Sequence, residues 1–441
     1  MQDFHKGLPS RIGFPHLEFE KTMEAEHTSM AGCDMRFTTR NYGITTTAKA
    51  EWGVVVRGQA PPPEHMLHGR VTVSVEEKLR WSNEQFAKKG LEVRLRREEV
   101  IAVILYTGPM YMIYNCVLAR WFNPAAMWDT LHSGNNLFTT TLSVLVSAVQ
   151  KLSTMTVIPD GLKLYRGTGG VAYLPQHFSK PDEFNCRGMT EWGFMSCSAD
   201  KEVAMGYSGA AEGRPHAMVL EIEPSFVDRG AVVSDFSQYP KEVETLFLPM
   251  SFVVQSGERR VERSATGEVT VIPVRVSVNL KAERLEQLEE KKKSLYVTGF
   301  QFRVNELRQQ LRDEASAGNA EARLKSDKDD QGMHWEKEYS VESYIEAQVN
   351  KVEAVMERHR SLAAADCSDD ALYRSLVAES LEVTSMAQSA LQLWLRNVLW
   401  KIHKLEKKPL LECHRNLETF LLPRMQQLKM SGVQLQLSCA R

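Results

Sequence analysis

The sequence predicts an α+β fold followed by a helical appendage, and three successive patterns along the chain indicate it. From about Glu84 to Met155, apolar residues recur every three to four positions, which is typical of packed helices. From Leu162 to Leu280, short β-branched runs are separated by Gly, Pro, Asp and Ser, which indicates strands. After Lys281 the sequence is charged, leucine-rich and poor in glycine and proline, which favours helices.

These patterns divide the chain into three predicted domains. Residues 84–280 form the central domain. Residues 1–83 contain a proline run and a threonine-rich patch with little periodicity, so we expect a partly irregular N-terminal extension. Residues 281–441 form a C-terminal helical domain that packs as a unit, because part of it carries an apolar stripe at helical spacing. That stripe consists of Leu391, Trp394, Leu395, Val398 and Ile402.

The composition is that of a globular protein with little net charge. The chain has 441 residues, 43% of them hydrophobic, and 54 Lys and Arg nearly balance 56 Asp and Glu. This balance predicts no general attraction to polyanions, so no nucleic-acid partner is expected. The seven cysteines include no CxxC pair, which favours reduced thiols. The opening residues contain no apolar leader segment, and we therefore expect a cytoplasmic protein.

The longest apolar run begins at Ile101 and is interrupted by Gly108 and Pro109. These interruptions argue against a membrane span and predict a buried helical segment with a turn inside it. His65 and His68 lie near the proline run, but no HExxH motif or set of cysteines and histidines accompanies them. We therefore expect neither membrane contact nor a metal site.

The first motif with chemical meaning is LKLYRGTGG, in which an apolar strand leads to Arg166 and then to a glycine-rich turn at Gly167. Such an arginine can contact a phosphate through two N–H groups, and glycines let the backbone approach a ligand closely. Taken alone, a surface arginine beside a turn is the simpler interpretation. The Rossmann dinucleotide fingerprint is not matched, because its acidic residue and crossover helix are missing.

The second motif is GFMSCSADKEVAMGY. Strand alternation places Ser196 and Ser198 on one face and Met195 and Cys197 on the other. Ser198 or the following Asp200 is also a good N-cap for the next helix, so Ser196 is the better candidate for a functional role.

The third motif is FSQYPKEVETLFLP, in which Glu242 and Glu244 lie two residues apart where a loop meets an apolar strand. Alternation would turn both carboxylates toward one cavity, and paired carboxylates suit glycosidic chemistry. The alternative is an exposed edge strand with alternating charge. The apolar residues 246–248 argue against that alternative, since they predict a buried continuation.

In this order, the three motifs resemble those of the arginine-directed mono-ADP-ribosyltransferases, a family that shares its fold with bacterial NAD-using toxins. Arg166 matches the motif arginine, and Glu242-Val-Glu244 matches Glu-x-Glu. FMSCS matches Phe-x-Ser-Thr-Ser, with Cys197 in place of threonine. The resemblance covers roughly residues 84–280. It implies a helical N-terminal half over two packed antiparallel β-sheets, with an NAD cleft between the sheets.

The resemblance also implies how NAD is bound. Arg166 would hold the phosphate and ribose side, and the backbone of Gly167 would contact the nicotinamide amide. Ser196 would orient both NAD and Glu244, and Ser198 would lie among the NAD-binding residues. NAD is thus the expected cosubstrate, with no metal.

The two glutamates have different implied roles. Glu244 would stabilise the cation-like ribose as nicotinamide leaves, and Glu242 would bind or deprotonate the incoming guanidinium. The expected reaction transfers ADP-ribose from NAD to an accessible arginine of a target protein. Phe236 or Tyr239 would present an aromatic surface to that protein or serve only for packing.

Two other functions stay open at this point. With water as acceptor, the same site would be an NAD glycohydrolase. A catalytically inactive transferase fold that acts through its C-terminal helices is the second alternative, and a protein partner for these helices stays open in either case. The presence of all three motifs favours an active transferase.

Overall fold

The computed structural model describes residues 8–119, 125–169, 174–181, 187–214, 216–264, 267–279, 283–321 and 340–395. The chain divides into two compact units, Met1–Glu289 and Glu290–Arg441. The first unit is α+β and the second is helical, which confirms the predicted fold class. The predicted boundary at residue 280 lies slightly before the division between the units.

The first unit opens with helices, and a short β-hairpin lies between the second and third of them. The helices are α1 (Pro9–Ile12), α2 (Phe19–Thr28), α3 (Ala48–Val55), α4 (Val75–Lys88), α5 (Arg97–Leu105), α6 (Tyr111–Ala119), α7 (Ala125–Ser133) and α8 (Thr139–Ser153). The hairpin consists of β1 (Phe37–Thr38) and β2 (Thr45–Thr46). Thr47 caps α3, since its hydroxyl accepts a hydrogen bond from the backbone N–H of Ala50.

The first 83 residues contribute to the same core as the later helices. Met23 of α2 and Trp52 of α3 are completely buried in a cluster that includes the apolar residues of α5 and α8. This segment, predicted as a partly irregular extension, contains helices α1 to α3 and the start of α4. Its apolar residues are too scattered for periodicity to reveal them, because they are buried by helices that follow later in the sequence.

The long apolar run forms α5 and α6, joined by a π-type turn at Tyr106–Met110. Gly108 leaves the helical region there, with ψ of −163°. The predicted buried segment with an internal turn is thus confirmed. Residues Arg97–Ala119 are long and apolar enough to cross a membrane, but 94% of their most apolar window is buried inside the protein. A core helix passes the same test of length and composition.

In the described residues of the β-rich half of this unit there are nine strands and two short helices. The strands are β3 (Leu164–Gly167), β4 (Met189–Glu191), β5 (Met195–Ser198), β6 (Met218–Ile222), β7 (Ala231–Val232), β8 (Glu244–Phe247), β9 (Ser251–Gln255), β10 (Arg260–Ser264) and β11 (Gly267–Ser277). The helices are α9 (Gln176–Ser179) and α10 (Lys201–Gly206). The strand order is β4-β9-β11-β6-β3-β5-β8-β7, and β10 pairs with β11.

The expected pair of antiparallel sheets needs correction in two respects. The nine strands form one hydrogen-bonded sheet, and β6 and β11 run parallel while the other pairs are antiparallel. The cause is the length of β11, whose 11 residues pair with β10, β6 and β9 and thereby connect all strands.

Strand β8 is buried on both faces. Leu246 belongs to the helical core, whereas Phe247 belongs to a second apolar cluster that also contains Met195 and Cys197 of β5. This burial rules out the exposed edge strand that was the alternative for the two glutamates. It also means that the first residue of β8, Glu244, begins inside the protein.

The second unit is helical and has its own apolar core. Its helices are α11 (Leu285–Ala317), which begins in the first unit, α12 (Val341–Ser361) and α13 (Asp370–Leu395). Phe300, Val349 and Leu391 are completely buried in this core. The other members of the predicted stripe lie outside the described side chains: Trp394, Leu395, Val398 and Ile402.

Candidate active site

Arg166 lies near the end of β3, and its guanidinium is held on two sides. Nη1 donates a hydrogen bond to the carbonyl oxygen of Ser196 at 3.1 Å, and Nη2 lies 3.5 Å from the Glu191 carboxylate. The Arg166 side chain is only 14% exposed. The arginine is therefore positioned before any ligand binds, with further N–H groups that can serve a phosphate.

Gly167 has a packing role that the sequence did not reveal. A Cβ at this position would lie 2.6 Å from the carbonyl oxygen of Tyr207, which follows α10. The same carbonyl accepts a hydrogen bond from the backbone N–H of Gly169 at 2.9 Å. Only glycine allows β3 to come so close to the end of α10. A contact between Gly167 and nicotinamide stays a prediction.

The two serines of β5 serve different partners. Met195 and Cys197 lie in the apolar core, so the predicted alternation is correct. The Ser196 hydroxyl forms a hydrogen bond with the Glu244 side chain. Ser198 instead donates to the backbone carbonyl of Glu242 at 2.7 Å. The predicted N-cap of α10 is Asp200, whose carboxylate accepts from the Glu202 N–H at 2.9 Å.

Glu244 is the first residue of β8 and is 6% exposed. Burial raises the pKa of its carboxyl group to about 7. The Ser196 hydrogen bond and the Arg166 charge act in the opposite direction, while the nearby Glu242 carboxylate raises the pKa further. The site therefore holds a carboxylate whose ionisation is balanced near neutral pH.

Glu242 is placed by a loop rather than by strand alternation, which corrects the predicted geometry. It ends a short 3-10 turn, Pro240–Glu242, and Val243 then adopts a left-handed backbone with φ of 43°. The alternation rule does not apply across these residues, because only Glu244 is in the strand. Glu242 is half-buried, and its Oε1 accepts hydrogen bonds from the hydroxyls of Tyr42 and Tyr207.

The loop that leads to Glu242 is anchored by Gln238. Its side-chain oxygen accepts from Arg70 Nε at 2.9 Å, and its Nε2 donates to the carbonyl of Ile104 at 2.8 Å. A Cβ at Gly108 would lie 2.7 Å from Gln238 Cδ, so the π-type turn leaves room for this side chain. The loop is thus tied to both the N-terminal segment and the apolar helices.

The aromatic residues of this loop are mainly packed. Phe236 is completely buried against Trp81, with ring centroids 5.9 Å apart, so it offers no surface to a protein substrate. Tyr239 is nearly buried and stacks on Tyr42 at 4.6 Å. Of the two alternatives for Phe236, a surface for the protein substrate or packing alone, the structure therefore supports packing.

Several residues around the motifs were not predicted from the sequence. Tyr106 accepts a hydrogen bond from Asn115 at 3.2 Å, and burial together with the Glu244 charge raises the pKa of its phenol. Tyr106, Asn115 and Tyr207 belong to segments that the sequence marked for other reasons. Glu191 and Tyr42 have no local signal, because only the folded chain brings them to the motifs.

A surface cavity of about 790 Å³ lies away from these residues. It is lined by residues 154–162 and 223–224 together with Phe226, Arg229 and two residues near the end of α4. Leu162, the first residue of the first motif, is among the lining residues, but none of the candidate site residues is, so we assign the cavity no part in the chemistry of the site.

The motif residues thus meet in one place. Arg166 and Glu244 both bind Ser196, and Glu242 lies next to them in the loop held by Ser198. An arginine suited to phosphate and two carboxylates in different environments are what cleavage of a glycosidic bond in a phosphate-containing substrate requires.

Residues 63–266 match the family described as NAD:arginine ADP-ribosyltransferase. The matched segment is a little under half of the chain, and members of that family use NAD as a substrate. No curated protein sequence matches the chain.

Solved structures similar to this chain include three ADP-ribosyltransferases. HopU1 of Pseudomonas syringae pv. tomato is 20% identical, covering 46% of this chain and 88% of its own, with a TM-score of 0.32. The toxin Plx2a of Paenibacillus larvae is 17% identical, covering 46% of this chain and 94% of its own, with a TM-score of 0.29. A mutant of the eukaryotic enzyme ART2.2 in complex with NAD is 16% identical, covering 48% of this chain and 79% of its own, with a TM-score of 0.28.

Proposed function

We propose that this chain transfers ADP-ribose from NAD to arginine side chains of a target protein. The bond between nicotinamide and ribose breaks and nicotinamide leaves with the bonding electrons. A guanidinium nitrogen of the target then bonds to C1 of the ribose and loses a proton. The observation that carries the proposal is the pair of carboxylates beside Arg166 and Ser196, one buried in the sheet and one on the adjacent loop.

Glu244 suits the bond-breaking step. Its carboxylate is buried, so a positive charge that develops on the ribose would interact with it more strongly than it would in water. The hydrogen bond with Ser196 favours the charged form of Glu244. The positively charged nicotinamide ring of NAD would favour that form further.

Glu242 suits the acceptor step. Its side chain is half-buried in the loop, so a group from outside the protein can reach it. A carboxylate accepts the paired N–H groups of a guanidinium well and can take up its proton. Water needs less help, because it can attack C1 before it gives up its proton, whereas a guanidinium must lose a proton first, so Glu242 favours transfer over hydrolysis in this proposal.

The test compares Glu244→Gln and Glu242→Gln in the full chain, with NAD labelled in its ADP-ribose part. Free nicotinamide and labelled peptide are measured separately, using an arginine peptide and the same peptide with lysine in its place. Glu244→Gln should lower both activities about a hundredfold or more, since such an interaction contributes roughly 3 kcal/mol to the transition state. Glu242→Gln should lower arginine labelling much more than nicotinamide release.

Glu202→Gln is the matched control, because Glu202 is exposed in the first turn of α10. It should leave both activities within about twofold of the unsubstituted protein, well under 1 kcal/mol. Equal labelling of the lysine peptide would contradict arginine as the acceptor. Nicotinamide release without any labelled peptide would identify an NAD glycohydrolase, and the lack of both products would support an inactive fold.

A further inference from the structure

The hairpin β1–β2 lies before the matched segment 63–266, yet its turn reaches the proposed acceptor carboxylate. Tyr42 of this turn donates its hydroxyl hydrogen to Glu242 Oε1. Tyr207, which follows α10, donates to the same oxygen at 2.6 Å. Two phenols from distant parts of the chain therefore hold one oxygen of Glu242.

The directions of these hydrogen bonds are fixed by their neighbours. Tyr111 donates to Oδ1 of Asn41 at 3.0 Å, and Asn41 Nδ2 donates to the Tyr207 hydroxyl at 3.3 Å. Because a hydroxyl has a single hydrogen, Tyr207 accepts from Asn41 and gives its own hydrogen to the charged Glu242 at 2.6 Å rather than to the Tyr42 hydroxyl at 3.2 Å. Burial, together with the Glu242 charge, raises the pKa of both the Tyr42 and Tyr207 phenols, so both keep the hydrogen that they donate.

The Tyr42 ring is held between two other rings. Its centroid lies 4.6 Å from that of Tyr239 and 5.0 Å from that of His68, and both pairs are stacked. Gly43 next to it has φ of 64°, which allows the tight turn of the hairpin. Tyr42 is thus fixed by stacking, independently of its hydrogen bond.

The second carboxylate oxygen of Glu242, Oε2, is not held by the two phenols. Within the described parts of the chain, Oε2 has no hydrogen-bond partner, whereas Oε1 has two. A carboxylate has about four acceptor positions, so Oε2 can receive N–H groups of a guanidinium while Oε1 stays bound.

We propose that Tyr42 and Tyr207 are positioning residues that hold Glu242 for an arginine acceptor, and that the hairpin β1–β2 completes the acceptor side of the site. This inference rests on the proposed function, because it assigns Glu242 to the acceptor. It predicts that the Tyr42 hydroxyl, which lies outside the matched segment, serves transfer and not the cleavage of NAD.

The experiment uses the full chain with Tyr42→Phe, Tyr207→Phe and both together. Phenylalanine keeps the ring and removes only the hydroxyl. Each single change should lower labelling of the arginine peptide about tenfold, and the pair further, mainly through a higher KM for the peptide. Nicotinamide release without peptide, and the KM for NAD, should stay within twofold. Tyr373→Phe, in the helical unit, is the matched control and should change neither activity.

Asn41→Ala provides a second test should the hydroxyl variants fold poorly. It leaves both phenols in place but releases Tyr207, so the ratio of labelling to nicotinamide release should fall about threefold. An unchanged ratio in all of these variants, with transfer lost in Glu242→Gln, would overturn the inference and leave the proposed function intact. An equal loss of both activities would also overturn it. Transfer that survives in Glu242→Gln would instead refute the proposed function.

Discussion

Glu244 shows how one residue links the stability of the fold to its chemistry. Burial raises its pKa to about 7, so between about pH 4.5 and 7 the folded chain binds more protons than the unfolded chain. Its contribution to the free energy of unfolding is therefore full at low pH and is lost as the pH rises through 7. The proposed reaction needs the ionised form of Glu244. This residue therefore contributes least to the free energy of unfolding above pH 7, where the ionised form prevails.

The pH dependence of nicotinamide release should report this ionisation. Below about pH 7, kcat/KM for NAD should fall toward tenfold for each pH unit. Ser196→Ala removes a hydrogen bond that favours the charged form, so it should move this decline to higher pH.

The comparison variant for that measurement is Ser198→Ala, in which the lost hydroxyl served the Glu242 backbone and not the Glu244 side chain. It should leave the midpoint of the decline unchanged even where the rate is lower. A flat profile between pH 5.5 and 8, or equal midpoints for both serine variants, would contradict the role given to Glu244.

For single residues, the sequence singled out those candidate site residues that stand in contiguous motifs. Arg166, Ser196 and Glu244 were singled out because each stands at a predictable strand position in a short motif; the structure brings them together, and their roles stay predictions. Tyr42 and Glu191 were not found, because their partners are far away in sequence and nothing local marks them. The different duties of Ser196 and Ser198 also depend on which strand and loop lie opposite, which alternation alone does not specify.

Among the elements, the loop of Glu242 depends most on distant support. Arg70 and Glu51 form an ion pair at 2.5 Å in which both side chains are 1% exposed, and Arg70 also donates to Gln238. This arrangement connects α3 and the segment before α4 to the loop. A buried charge without its partner is costly, so the loop and the N-terminal helices should lose order together.

Arg70→Met should therefore lower the free energy of unfolding by about 3–5 kcal/mol, as expected for a broken buried ion pair. Arg57→Met is the matched control, since its pair with Glu24 is about half exposed, at 49% and 48%. That change should cost less than about 1 kcal/mol. Urea unfolding of both variants provides the measurement, and equal losses would show that the buried pair has no special importance.

The elements were predicted well where one period extends over many residues. The helices of the apolar run and the strand character after Leu162 follow from spacing alone. The position of Glu242 could not be predicted from spacing, because Pro240 starts a 3-10 turn and Val243 adopts a left-handed backbone. The joining of all strands into one sheet depends on the pairing partners of β11, which are non-local.

For the molecule as a whole, the first unit needs its N-terminal residues. Phe19, Met23 and Trp52 are buried against the later helices, so a chain that begins at residue 84 would expose the apolar faces they cover. The matched segment begins at residue 63, inside this unit. The family region alone is therefore smaller than the unit that folds.

A fragment of residues 1–289 should unfold cooperatively on heating and release nicotinamide from NAD, whereas residues 84–289 should do neither. Circular dichroism during heating and the nicotinamide assay are the measurements. The longer fragment is the control for the loss of the second unit. A cooperative transition in the shorter fragment would show that the N-terminal residues are dispensable for folding.

The left-handed Val243 separates two glutamates that are held by different parts of the structure. Glu244 takes its place from strand pairing with Ser198, whereas Glu242 takes its place from the loop and from Tyr42. Mutations in the loop or hairpin can thus change which nucleophile is accepted while the bond that is broken stays the same. A protein with this fold could therefore evolve toward new target proteins without changes in the residues proposed to cleave NAD.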